Sequence, residues 1–442
     1  VLLRVAPGTR GAGFATIQDA LDHAAAHSDG VTPYRISVAA GTYRENLTLR
    51  TPRVTLESAP GGEVVVQPPA GRTTNPQVLI GAGRVTLRGL TVDGLYEDPE
   101  RVKYNVYVHL AGDRDGVTIE GCRFRRTQVG LLVKAATDPA EYNEDVVVRG
   151  NLFESSHTGI RVDATGLGEN RGRIDFTSRA NRMVLRNVAH DENIVAIVVR
   201  RLDPVSRFRS VDDEFDLESS HTAGRGDVQA YMFHDWMPEL SEIVSPRIRI
   251  AHDGRGNRQQ DLFAVKIHGT LLTLPARPHV VLCSDLRLEV LDRTRRNVGG
   301  TANVAYNGAD KVVVLVAGGT VDAELSAAGG MTMRTFAVDP NVRAPFGIYH
   351  VGVPVEGVQH VGGSSAAIEP LSRDSFVTPH GGLPRTSSPL APWLGVDDAE
   401  GSRRLCVEFG GAVHCTPELP CEDCTSASIP AAFQSPRRGV SR

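Results

Sequence analysis

The chain has 442 residues, a formal charge of -4 with 23% charged residues, and 45 glycines beside 26 prolines. Mixed-sign charge without a clustered basic excess excludes a nucleic-acid footprint, and no apolar run approaches the ~20 residues a membrane-crossing helix needs. Such a length can bury a large core, and the turn-rich composition suits one elongated all-β fold.

The opening stretch VLLRVAPGTRGAG has no charged segment followed by a long apolar one, so no export signal is legible in it. Next, Thr16 is an N-cap with Asp19 three residues on, and Ile17, Ala20, Leu21, Ala24 and Ala25 recur at helical spacing up to Gly30. This predicts one amphipathic helix. RISVAAGTYRENLTL then predicts a strand through Ile36 and Val38, a turn at Gly41 and a strand through Leu47 and Leu49. A helix over the end of a strand stack would hide apolar side chains and open edge groups.

Repeats follow. Segments beginning at Val54, Val85, Val117, Val146 and Met183 start 31, 32, 29 and 37 residues apart. In the last three a first strand (Val117 and Ile119, Val146 and Val148, Met183 and Leu185) leads to a turn at Gly121, Gly150 or Asn187. A small residue comes later, at Gly130, Gly159 or Ala196, and then a second alternating strand, LLVK, IRVD or IVVR. Short strands at a period near thirty, with no long helix between them, predict a right-handed parallel β-helix capped by the N-terminal helix. Glu-Ser-Ser-His-Thr occurs twice, at Glu154–Thr158 and Glu218–Thr222. It reads as an echo of the repeat placed at a turn, its hydroxyls bonding local backbone, rather than as a serine activated by His157 or His221.

Two segments carry a family resemblance. TIQDALDHAA…ISVAAGTYRENLTL, from Thr16 to Leu49, and HLAGDRDGVTIEGCRFRRTQVGLLV, from His109 to Val133, resemble the pectin-lyase-like β-helix proteins, and among them the pectin methylesterases. The resemblance covers roughly residues 10 to 165. It implies that Gln128 stands where the family has a glutamine that helps stabilise an oxyanion. The family's catalytic carboxylate falls at Thr158, and its Gly-Arg-Pro-Trp segment has no counterpart. Thr cannot replace an aspartate in that scheme, so the implied fold is specific and the implied esterase activity is weak.

Alternation predicts that Val106 and Val108, Leu131 and Val133, Ile160 and Val162, and Ile197 and Val199 point inward. Two outward rows result: Tyr107, Leu132, Arg161 and Val198, beside His109, Lys134, Asp163 and Arg200. An anionic sugar chain could lie along them. Lyases and epimerases acting on uronic acids need a base beside the carboxylate and a cation to offset the enolate. Lys134, Arg161, Asp163, His109 and Gln128 are therefore the catalytic candidates, with Tyr107, Arg200 and His157 as substrate-binding candidates. Asp163 is the candidate oxygen ligand for Ca²⁺, although a calcium site wants several oxygens. The same row also reads as a mixed-charge ladder without a ligand. VDDEFD from Val211 is acidic enough for calcium but reads as an exposed corner.

Residues 1–244 are thus assigned to the β-helix with its cap. Residues 245–363 read as late coils or a small β domain, and 364–442 as a Pro/Ser/Gly-rich disordered tail. Cys122 and Cys283 sit alone in apolar runs, where buried free thiols are expected. Cys406, Cys415, Cys421 and Cys424 fit two disulfides better than one zinc site. The expectation is a monomeric, secreted or surface-exposed protein acting on an acidic polysaccharide, by lyase, epimerase or esterase chemistry. A non-catalytic carbohydrate-binding module, adhesin or scaffold is the alternative.

Overall fold

Apolar and polar residues alternate along Tyr34–Val38, Arg173–Arg179 and Glu214–Ser219, so each strand has one buried and one open face. No hairpin joins such strands into the main sheet; every pairing within it is parallel, between one rung and the next. The computed structural model describes residues 1–7, 13–70, 76–95, 104–109, 114–134, 142–163, 173–187, 193–219, 227–235, 237–252, 261–268, 279–293, 300–309, 312–326, 331–339, 347–351, 367–370, 393–397, 404–409 and 412–415. Among these, 29 strands form one continuous sheet wound into the expected right-handed parallel β-helix.

Three ladders run along the solenoid. The first begins with Leu2–Val5 on Tyr34–Val38 and passes through Thr118–Glu120, Tyr142–Arg149 and Arg173–Arg179 to Ala367–Pro370. The second runs from Gly41–Arg44 through Arg182–Asn187 and Glu214–Ser219 to the end of Val312–Glu324. The third contains Tyr104–His109, the ends of Arg123–Lys134 and Leu152–Asp163, then Ile194–Arg200, Val228–His234, Leu262–Ile267, Thr301–Asn307 and Thr332–Val338. Inward side chains stack as well as the backbone does: Phe124 lies 4.7 Å from Phe153 with rings nearly parallel, and Phe176 lies 6.0 Å from Phe208.

The N-terminal helix is Ile17–His27, and the Thr16 side chain accepts from Asp19 N at 3.1 Å. Ile17, Ala20, Leu21 and Ala24 are buried as expected, whereas Ala25 is exposed. Glu45 accepts the otherwise unpaired N–H groups of Ile17 and Gln18, which fastens the helix start to the first rung. The strand Leu2–Val5, not anticipated from sequence, adds a further edge beside Tyr34–Val38.

The rungs depart from the sequence alignment at Met183. Val147 pairs with Thr118, but the next rung of that ladder is Thr177, while Met183 pairs with Phe153 and belongs to the second ladder. Asn187 is accordingly a strand residue and not a turn. The corner it was expected to make belongs to Ala180, with φ 50, in line with Gly121 and Gly150 before it and Asp212 and Ser245 after it. The two Glu-Ser-Ser-His-Thr copies are also out of step. Phe153 aligns through Met183 with Phe215, which puts Glu154 level with Asp216 and not with Glu218. The first copy lies inside the continuous strand Leu152–Asp163, not at a turn. His221 lies outside the described residues.

The left-handed corner is fixed by a buried polar column one residue further on. Asn151 Oδ1 accepts from Cys122 N at 2.9 Å, Asn181 Oδ1 from Asn151 N at 3.0 Å, and Asp213 Oδ1 from Asn181 N at 2.8 Å. Each asparagine amide reaches back to a carbonyl of the preceding rung, Asn151 to Ile119 and Asn181 to Val148. Asp213, expected on an exposed corner, ends this column inside the core. Burial pushes its carboxyl up to about 6, against hydrogen bonds from Ser178, Ser210 and Asn181. A folded value above the unfolded one makes the acid form the stabilising one. Its contribution is complete below about pH 4 and is lost by about pH 6, a change of about 3 kcal/mol. We expect urea midpoints of the Asp213→Asn variant to lack that component between pH 4 and 7; identical pH slopes in the two proteins would refute this.

Beyond residue 244 the parallel ladders continue through His279–Asp292 and Val312–Glu324 to Ala367–Pro370. Trp393–Asp397, Arg404–Phe409 and Ala412–Cys415 form a separate antiparallel three-stranded sheet in which Cys406 is the register partner of Cys415. Cys421 and Cys424 lie outside the described residues. Cys122 and Cys283 are buried free thiols, pushed by burial up to about 11 and about 12.

Candidate functional site

Three outer faces can be compared by how their charges are arranged. On the first ladder, Glu57, Arg88, Glu120 and Arg149 are successive register partners, and each arginine is ion-paired to a neighbouring glutamate. On the second, Asp216 accepts from Arg186 at 2.6 Å and from Arg249 at 2.8 Å, and Glu218 and Glu289 extend the pattern. Cross-rung pairs of this kind are what structural ladders are built from, and both faces also bury single acids under two arginines, Glu57 beneath Arg35 and Arg88 and Asp93 beneath Arg125 and Arg126.

The third ladder carries basic and aromatic residues on its outward rows. Its register places His109, Lys134, Asp163, Arg200 and His234 in one row, and Tyr107, Leu132, Arg161, Val198, Met232, Lys266 and Tyr306 in the next. Tyr107 and His109 are placed by their backbone. Inward Val133, Ile160, Val162, Ile197 and Val199 are fully buried, which fixes the opposite side chains outward. Outward does not always mean open: Leu132 and Val198 are buried, as are the acids Asp163 and Asp235, each 4% exposed. The half-buried members are Lys134, Arg161, Arg200, Met232, His234, Lys266 and Tyr306, and His268 at the end of its strand is exposed. A basic layer therefore overlies buried carboxylates.

Arg161 is not an open cation. Its Nε donates to Asp163 Oδ2 at 2.8 Å, and a second guanidinium nitrogen lies 2.6 Å from the same oxygen. Asp163, the residue considered for calcium, is thereby buried and paired with Arg161. Among the described residues no group of three or more His, Cys, Asp or Glu is close enough to hold a metal ion. Lys134, the rung neighbour of Asp163, makes no ion pair among the described residues. His157, a substrate-binding candidate, is 3% exposed and packs in the interior, out of a ligand's reach. Gln128 is half-buried, one residue before Val129. In the third outward row Val129, Thr158, Val195, Gln229, Phe263 and Asn303 succeed one another. Thr158 thus has no carboxylate beside it in its own row, and a two-aspartate esterase centre is absent from it.

Two clusters further along the face were not anticipated. In the first, Asp235 takes Arg200 Nε at 3.2 Å and Arg201 Nε at 2.9 Å on the same oxygen, with His234 Nδ1 also 2.9 Å away. The His234 and His268 rings stack at 4.3 Å. Burial acts to raise the Asp235 carboxyl, but Arg201, His234 and Arg200 together hold it below the usual range. Burial lowers both imidazoles; Arg200 and Arg201 add to this at His234, and His234 and Lys266 add to it at His268. In the second, Lys266 Nζ pairs with Asp227 and lies 4.4 Å from the centre of the Phe263 ring, while Tyr306 donates to Asp339 at 3.2 Å. Burial and nearby Asp339 push the Tyr306 hydroxyl up to about 12. The signal for these residues was available: YMFHD and VKIH laid under IVVRR put His234 and His268 in the Arg200 column.

No protein-family model matches the chain, and no curated protein matches it either. Among solved structures, the chain is similar to a pectin methylesterase in complex with a hexasaccharide, at 14% identity and TM-score 0.31, over 62% of this chain and 91% of that one. It is also similar to the pectin methylesterase PemA from Erwinia chrysanthemi, at 13% identity and TM-score 0.30 over the same shares. A complex of XylC with xylose matches 92% of this chain and 89% of its own, at 9% identity and TM-score 0.31. TM-scores this low carry nothing about activity over to this chain.

Proposed function

We propose that the outer face of the third ladder binds an acidic polysaccharide laid across the rungs. One observation carries this: Lys134, Arg161 and Arg200 stand half-buried on successive rungs of this face, with the acids Asp163 and Asp235 buried beneath the two arginines and no ion pair at Lys134 among the described residues. Successive rungs repeat at ~4.8 Å, so Lys134, Arg161 and Arg200 offer a line of donors to a chain of carboxylates. The same residues support chemistry of the lyase or epimerase kind on uronates. In that chemistry Lys134 would take the proton beside a carboxylate, with Arg161 and Arg200 offsetting charge on the enolate. Thr158 speaks against ester hydrolysis. Calcium as a cofactor, a monomeric state and export to the medium or cell surface belong to this reading as expectations.

A non-catalytic binding module is the second reading. Arg161 and Arg200 are already committed to buried carboxylates, which favours a rigid binding surface over a reactive one. Incubation with polygalacturonate, alginate and methyl-esterified pectin, with and without calcium, separates the two. New unsaturated ends are expected from a lyase, and retention on the immobilised polymers without product from a binder. Failure to bind any of the three acidic polymers, or equal binding to neutral xylan, would sink the proposal.

A further inference from the structure

We propose that Arg200, Arg201, His234 and His268 form an anion subsite of this face, one that grips a carboxylate or sulfate group of the polysaccharide more tightly on acidification. This rests on the acidic-polysaccharide reading and adds to it where the anion is held and how binding is regulated.

Asp235 can compensate one positive charge, yet two guanidinium groups and an imidazole share its single oxygen Oδ2. The cluster is therefore cationic before either histidine is protonated. Its members are held firmly. Arg200 ends the strand Ile194–Arg200, Arg201 takes the left-handed corner at φ 56, and Asp235 takes the next corner at φ 62, with Arg201 N donating to His234 O. Asp235 is buried, so the carboxylate holds the donors from below while their outer edges face away from the core.

The charged groups around the imidazoles are Asp235, Arg200 and Arg201 on the inner side and Lys266 on the adjoining strand, itself paired with Asp227. Three of these are cations, and the two rings stack face to face at 4.3 Å. Without a ligand, such surroundings oppose a charge on either ring. An anion seated against Arg200 and Arg201 reverses that balance, so anion binding and histidine protonation favour each other by linkage. Uronate carboxylates titrate at about 3.5 and keep their charge throughout the range in which the histidines change theirs.

Affinity for oligogalacturonate would be measured at pH 5 and pH 8 at fixed ionic strength. The wild-type protein is expected to bind about tenfold more tightly at pH 5. In the double variant His234→Gln, His268→Gln the ratio of the two affinities falls to about one. His268→Gln alone, a change at an exposed side chain that leaves folding intact, gives an intermediate ratio. A pH-independent wild-type affinity overturns the subsite and leaves the acidic-polysaccharide reading standing. So does a double variant that keeps the full ratio. No binding at either pH overturns both.

Discussion

Asn181→Ala is expected to destabilise the protein by about 4 kcal/mol. The Asn181 side chain donates to Val148 O at 2.8 Å and Ser178 Oγ at 2.9 Å, and its Oδ1 accepts both Asn151 N and Asn151 Nδ2. All of these groups are buried, and truncation takes a donor from Val148 O and the acceptor from Asn151 N, while Asn151 Nδ2 keeps only Ile119 O. Each buried orphan costs about 1–3 kcal/mol, and the loss lands at the corner whose left-handed residue, Ala180, has no glycine to ease it. A shift in the urea midpoint with unchanged m-value reads the effect. A cost below about 1 kcal/mol would mean that the column is decoration and not support.

Replacing Lys134 and Arg161 together by alanine is expected to weaken binding to polygalacturonate by about a hundredfold, two charge-assisted contacts at about 1.5 kcal/mol each. The loss should shrink as salt rises, because half-exposed cations are screened within about 8 Å at physiological ionic strength. Removing Arg161 also strips Asp163 of its partner in a buried position, so Asp163→Asn is added to the double variant to separate a folding defect from a binding one. Retained affinity in the folded triple variant removes these rungs from the site.

Much of the architecture was written in the alternation of apolar residues. Leu131 and Val133, Ile160 and Val162, and Ile197 and Val199 fall in register because a one-residue slip would turn the whole buried set outward. The helix Ile17–His27 was legible for a similarly local reason, its cap and its apolar stripe. The rung beginning at Ile174 was missed because its corner carries Ala180 in place of glycine, and the glycine was the signal that marked the two rungs before it. Of the site, the row Lys134, Asp163, Arg200 could be read directly, and its continuation to His234 was legible in YMFHD laid under IVVRR but lay beyond the repeats that were aligned.

The sequence by itself determined that strands of this period must wind into a parallel β-helix, which residues face its interior, and which outward letters become neighbours. Those properties follow from side-chain alternation and repeat length, both of which are local. Tertiary structure alone decided which charges are spent on one another. Asp163 and Asp235 sink beneath their arginines, His157 turns into the core, Arg149 pairs with Glu120 and Arg249 with Glu289. Burial and pairing depend on how far each side chain reaches across the ~4.8 Å gap to the next rung, and no spacing along a single chain records that distance.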